Sequence, residues 1–164
     1  MARQTKDIFD ALVADHDRHR LLLKKLGKED AAPEDRMALF EEFTRELKGH
    51  AAAEEQALYS VILAKPDTTD KARHSVAEHK EIEDMLNHLA TVDVSSGEWM
   101  EKFEDLRDEY IHHIDEEEEE MFPAAEDELP DEKKKELLAI FEKEKPREKA
   151  KAAAEEPSSE DERE

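Results

Sequence analysis

The chain has 164 residues, 47 acidic and 25 basic, with a net charge of −22 at pH 7. Such acidity disfavours nucleic acid and anionic membranes, which are held by Lys and Arg. Zero cysteines exclude disulfides, thiolate nucleophiles and Cys-ligated zinc or iron–sulfur clusters.

Four segments carry the i, i+3, i+4, i+7 spacing of a helix with one buried stripe. The first runs from about Thr5 to Leu26 and stops at Gly27; its stripe reads Phe9, Leu12, Val13, His16, Leu23 and Leu26. The second starts near Pro33 and continues to about Ala64, with Phe40, Phe43, Leu47, His50, Glu54, Leu58 and Val61 on its stripe. The third runs from about Asp70 to Ala90 and aligns Ala72, Val76, His79, Ile82, Leu86 and Leu89. The fourth runs from about Glu98 to Met121, aligns Trp99, Phe103, Leu106, Tyr110, His113, Glu117 and Met121, and is limited by Pro123. Long helices on short loops predict an antiparallel, up-down-up-down four-helix bundle over residues 1–128. A short fifth helix is expected within 129–143. From 144 to 164 the Lys, Glu, Ala, Pro and Ser composition predicts a disordered charged tail. No run reaches the ~20 apolar residues of a membrane helix, and no secretory signal is visible. A soluble, cytoplasmic protein is expected.

Shifted by 63 positions, the sequence meets itself. Val13-Ala14-Asp15-His16 falls on Val76-Ala77-Glu78-His79, His50 on His113, and Glu54-Glu55 on Glu117-Glu118. Two copies of one helical hairpin are implied, related by a pseudo-two-fold axis. The repeated polar residues lie where leucines would be the bland choice. His50 and Glu54, like His113 and Glu117, are four apart and share a helical face. An unpaired buried carboxylate costs several kcal/mol or takes up a proton. No Lys or Arg lies on the stripes to neutralise Glu54 and Glu117. A bound cation resolves the problem. Imidazole and carboxylate ligands suit iron, manganese and zinc. Six such positions at one constant offset point to a dinuclear metal site of His16, His50, Glu54, His79, His113 and Glu117; the alternative is a metal-free His–Glu hydrogen-bond network.

The remaining histidines are less regular. His19 lies at the stripe's edge and matches Ile82, so it reads as a supporting or exposed residue. His112 and His88 read as surface residues. His74 precedes His79 by five, about 140° off face on an ideal helix. A π-bulge or loosened first turn would bring it in as a seventh ligand. Tyr59 and Tyr110 are candidate supporting residues and proton relays.

His16, His50-Ala-Ala-Ala-Glu54-Glu55, Glu78-His79 and His112-His113-Ile-Asp-Glu116-Glu117-Glu118, followed by Met-Phe-Pro, occur in one order. Over roughly residues 7–123 this resembles the hemerythrin-like HHE cation-binding family. The resemblance implies a bundle around two iron ions in an oxo- or hydroxo-bridged centre, with manganese or zinc as lesser alternatives. It implies that Glu54 and Glu117 bridge and that His16, His50, His79 and His113 are terminal ligands. Oxygen-carrying members have a His-x-x-x-His pair on the third helix, where Ser75 stands here. They place an aspartate five after the fourth-helix histidine, where this chain has Glu117 four after His113. Open metal positions then favour a small ligand: oxygen, nitric oxide or peroxide. Four readings stay open: a ligand binder or sensor, a redox enzyme decomposing peroxide or reducing nitric oxide, an iron-handling protein, and a metal-free interaction bundle. Protein partners are not legible.

Overall fold

The computed structural model describes residues 5–155, which contain helices and no strand. Helix α1 (Ile8–Leu26) begins at a reciprocal cap. The Asp7 carboxylate accepts from the Phe9 and Asp10 amides, and the Asp10 carboxylate accepts from the Asp7 amide. Lys24 and Lys25 end the helix, favourably placed at its negative pole. Helix α2 (Pro33–Glu54) opens on a proline, whose missing N–H costs nothing in a first turn. It runs without a break through a π turn (Glu55–Tyr59) into the short α3 (Ser60–Ile62). Helix α4 (Thr69–Leu89) follows a tight connection in which the buried Thr68 hydroxyl donates to the Ile62 carbonyl. Helix α5 (Gly97–Glu116) is capped by the Ser96 hydroxyl, which accepts from the Trp99 amide. A second π turn (Glu117–Met121) leads into α6 (Phe122–Glu128), where Pro123 again occupies a first turn.

Helices α1, α2, α4 and α5 close the expected four-helix ring, each against its chain neighbour and α1 against α5. The core is in two parts. At one end Leu23, Leu26, Phe43, Leu86, Trp99 and Phe103 interlock. At the other, Ile8, Leu12, Leu58, Ile62, Phe122 and Phe141 do so. Each such side chain contributes ~1.5–3 kcal/mol by leaving water. Between the two lies a buried layer of histidines and carboxylates.

The last helix differs from the sequence expectation. Helix α7 runs from Asp131 to Glu155, so the segment 144–155, read as disordered tail, is helical; residues 156–164 lie outside the described residues. Composition missed it because its anchors are few and partly ionic. Leu137, Phe141 and Ala152 are buried. Lys145 pairs with Asp15 at 2.9 Å and Glu46 at 3.2 Å, and Lys149 reaches Glu46 as well. These clamps flank Pro146 and hold the helix across it. Gly49 permits the approach: a Cβ there would stand 3.1 Å from the Lys149 amide nitrogen. Among the described residues no helix is long and apolar enough to cross a membrane.

Candidate metal centre

All six repeated residues point into the polar layer. His16, Glu54, Glu117, His113 and His50 are fully or almost fully buried, and His79 retains 8% exposure. The imidazoles form two pairs, one from each half of the chain. His16 and His50 have ring centroids 5.1 Å apart, and His79 and His113 are 4.8 Å apart. Each glutamate lies between the pairs. Glu54 Oε1 is 3.6 Å from His50 Nε2 and 3.4 Å from His79 Nε2. Glu117 Oε1 is 3.3 Å from both His16 Nε2 and His113 Nε2. That placement is what two bridging carboxylates need.

The two nitrogens of each ring behave differently. Every Nδ1 makes a short hydrogen bond to a carboxylate: His16 to Glu118 at 2.7 Å, His50 to Asp15 at 2.9 Å, His79 to Glu55 at 2.7 Å, His113 to Glu78 at 2.8 Å. An acceptor on Nδ1 holds a proton there and turns Nε2 inward, where the neutral ring presents its lone pair. The inner distances of 3.3–3.6 Å are long for hydrogen bonds. They match the spacing of ligands about 2.1 Å from one shared cation, which sit about 3.4 Å from each other in a tetrahedron. His16, His50 and His113 Nε2, both Glu54 oxygens and Glu117 Oε1 have no hydrogen-bond partner. So many orphaned buried atoms aimed at one space fit bound cations.

The four outer carboxylates, Asp15, Glu55, Glu78 and Glu118, were not singled out from the sequence. Their signal was present. Asp15 and Glu78 precede His16 and His79, Glu55 and Glu118 follow Glu54 and Glu117, and all four obey the 63-residue repeat. They lie beside the stripes and not on them, so a search for buried faces passes over them.

The π turns complete the arrangement. One follows Glu54 directly and the other starts at Glu117. A π turn adds one residue to the helical register. After it Tyr59 and Ile62 are fully buried, while Val61, expected on the stripe, is only partly so. Tyr59 then donates its hydroxyl proton to Glu117 Oε2. His19 is buried, and its Nδ1 lies 2.7 Å from the Tyr110 hydroxyl. His19 and Tyr110 thus support one another beside the centre; neither bonds to Glu54 or Glu117. His74 is corrected: it is 55% exposed and outside the core, with Nε2 3.3 Å from Glu78 and 3.2 Å from Glu116. The π turns fall at the glutamates and leave α4 regular, so nothing rotates His74 inward.

Without a cation the cluster shares protons unevenly. Burial, then the charge on Glu117, pushes the Glu54 carboxyl well up. Burial opposes ionisation of Glu117 too, but the facing His113 and His16 hold it well below the carboxylate range. Burial disfavours charge on His16 and His113, yet Glu117 with Glu118 or Glu78 outweighs it and raises both to about 9. Burial dominates at His50 and lowers it to about 3. Loading a cation must expel the protons on the inner nitrogens and on Glu54, so affinity rises with pH.

Solvent comes nearest at His79. A groove of about 280 Å³ between α2 and α4 is lined by Leu47, Ala51, Ala52, Glu55, Val76 and His79. The face beside His50 is instead covered by Phe141, whose ring lies 5.8 Å away.

The comparisons agree with this geometry. A hemerythrin HHE cation binding domain-containing protein from Mycobacterium kansasii has the same fold, with a TM-score of 0.79 and 24% identity, covering 92% of this chain and 91% of that one. A protein named DNA nickase from Nostoc sp. (strain PCC 7120 / SAG 25.82 / UTEX 2576) is 24% identical over 127 residues, 77% of this chain and 36% of that protein. The chain therefore spans little more than a third of that relative. The pattern of the hemerythrin HHE cation binding domain matches residues 7–125. With its helical bundle and its inward-facing His/Glu cluster, the chain belongs to the hemerythrin HHE cation-binding family.

Proposed function

We propose that the buried centre holds two iron ions and binds a small ligand: oxygen, nitric oxide or peroxide. One observation carries the reading. Two histidine pairs, each with Nδ1 held by a carboxylate, face each other across two glutamates, of which both Glu54 oxygens and Glu117 Oε1 have no hydrogen-bond partner. Four imidazoles and two carboxylates suit iron in both common oxidation states. When bound, the iron pair supplies electrons and open positions for the ligand. His16, His50, His79 and His113 hold it, and Glu54 and Glu117 join its two halves. The apolar clusters above and below exclude water. The groove beside His79 is the route by which a small molecule reaches the centre.

A redox enzyme is the second reading, and Tyr59 favours it. Its phenol is buried against Glu117, and burial together with the two glutamate charges pushes its pKa well up. It therefore keeps a proton at Glu117 Oε2, where a turnover reaction would draw one. DNA cleavage, the activity that the Nostoc relative's name states, fits poorly. At a net charge of −22 the chain repels the phosphate backbone.

Metal analysis and an optical spectrum on protein from iron-supplemented cells test the proposal. Two irons per chain with near-ultraviolet absorption of a coupled ferric pair are expected. A reversible change under oxygen or nitric oxide supports the binder, and catalytic loss of peroxide supports the enzyme. Absence of iron, or stoichiometric zinc in its place, would overturn the di-iron reading.

A further inference from the structure

We propose a second metal site on the surface, between α4 and α5, that takes a single zinc-like divalent cation. His74 and Glu78 are four apart on α4; His112 and Glu116 are four apart on α5. Each pair therefore shares a helical face. The helices set the pairs against one another. His74 Nε2 lies 3.3 Å from Glu78 Oε2 and 3.2 Å from Glu116 Oε1, and His112 Nε2 lies 3.2 Å from Glu116 Oε2. Ligand atoms of His74, Glu78 and Glu116 all fall within 4.8 Å of one another. The separations among His74, Glu78 and Glu116 again match the ligand spacing around one tetrahedral ion, and His112 stands outside that trio, on the other oxygen of Glu116. An imidazole with two carboxylates, and a second imidazole beside them, form a mixed nitrogen–oxygen set that zinc, cobalt and nickel accept and that calcium and magnesium do not prefer.

The internal repeat supplies independent support. Glu78 corresponds to Asp15, His112 to Gly49 and His74 to Ala11. In the first half, Asp15 turns one oxygen to its ligand histidine and is neutralised by Lys145, and Gly49 lies under Lys149 of α7. In the second half, Glu78 likewise gives Oε1 to His113, but its Oε2 faces His74. Helix α7 packs instead on α1 and α2. Where the first half takes a lysine ammonium from α7, the second presents two exposed imidazoles, 55% and 67% exposed, and a further carboxylate. A bound cation takes the place of Lys145. The site shares Glu78 with the centre through its opposite oxygen, so it stands beside the buried metals without joining them.

The test compares the full-length chain with the double variant His74→Ala/His112→Ala. Both are purified from iron-supplemented cells and dialysed against buffered Zn(II), and iron and zinc are counted separately. The wild type is expected to hold one more zinc per chain than the variant, with equal iron in both. Cobalt(II) should give the wild type visible ligand-field absorption that the variant lacks. Equal zinc contents would overturn the proposal, as would a variant that loses core metal along with zinc. A core without iron leaves the zinc difference intact, so failure of the di-iron reading and failure of this site are separable. A thermal melt confirms that the variant, changed only at exposed positions, is folded.

Discussion

The two halves of the molecule agree in the polar layer and differ in what supports and covers it. The inward-facing histidines and glutamates and the carboxylates on Nδ1 recur at a constant offset, and the structure places them as paired sets. Beside them the halves part. His19 in the first half answers to Ile82, Tyr59 to Phe122, and Leu47 to Tyr110 in the second. Helix α7 packs on α1 and α2, while on the α4–α5 side His74 and His112 are exposed among the described residues. The lesson is physical. The proposed pair of cations bridged by two carboxylates would need near-equivalent surroundings, which would constrain ten residues together. Proton supply, access and cover would be needed once, so a single half could provide each.

The largest effect should come from breaking the part that is shared. Glu54→Ala and Glu117→Ala each remove a carboxylate that touches a histidine of both pairs. Each is expected to cut the metal content from two ions per chain to one or none, measured by elemental analysis of purified protein. Two ions retained in either variant would end the bridging assignment, and unequal losses would show that the halves are less equivalent than their geometry.

A smaller effect separates the halves. Asp15→Asn and Glu78→Gln both weaken the acceptor on a ligand histidine, and a change of this kind typically costs ~10–100-fold in metal affinity. Competition with a chelator reads that loss, which should be similar for the two. Stability of the metal-free protein should not be similar. Asp15 also anchors Lys145, which is largely buried and would be left with Glu46 as its one remaining carboxylate, so part of a buried ion network is lost. Asp15→Asn should therefore melt several degrees below Glu78→Gln. Equal melting temperatures would mean that α7 docks without help from the Asp15–Lys145 pair.

How much of this was legible follows the same division. The bundle and its six buried His and Glu positions are readable because burial and repetition mark the same positions. His50 and Glu54 lie on an apolar stripe, and so do their copies. Asp15, Glu55, Glu78 and Glu118 repeat equally well but flank the stripes, so only half of the signal was present. The π turns leave no local mark in Glu55–Tyr59 or in the glutamate run after His113. Consequently Ile62 displaced Val61 from the core. His74 was drawn inward on the assumption of a bulge in α4, while the bulges lie at the glutamates. Helix α7 was cut short at 143 because composition counts apolar residues and misses a clamp made by Lys145, Lys149 and Glu46.

The mildest change tests what the halves do not share. Tyr59→Phe gives the first half the ring that the second already has at Phe122, without altering shape. The metal content should remain that of the wild type, since Tyr59 donates to Glu117 but is no ligand. Stability should fall by about 1 kcal/mol, the net worth of one neutral hydrogen bond, somewhat more because the acceptor is charged. The effect that matters lies in the reaction with the small ligand. If the phenol keeps a proton ready at Glu117 Oε2, the variant should bind metal and ligand normally. Its peroxide loss should slow, and the slowing should be greater at high pH, where solvent supplies fewer protons. Stopped-flow absorption across a pH series measures this directly. An unchanged rate at every pH would reduce Tyr59 to packing and orientation of Glu117. The first half would then differ from the second in cover alone, and the binder would be favoured over the enzyme.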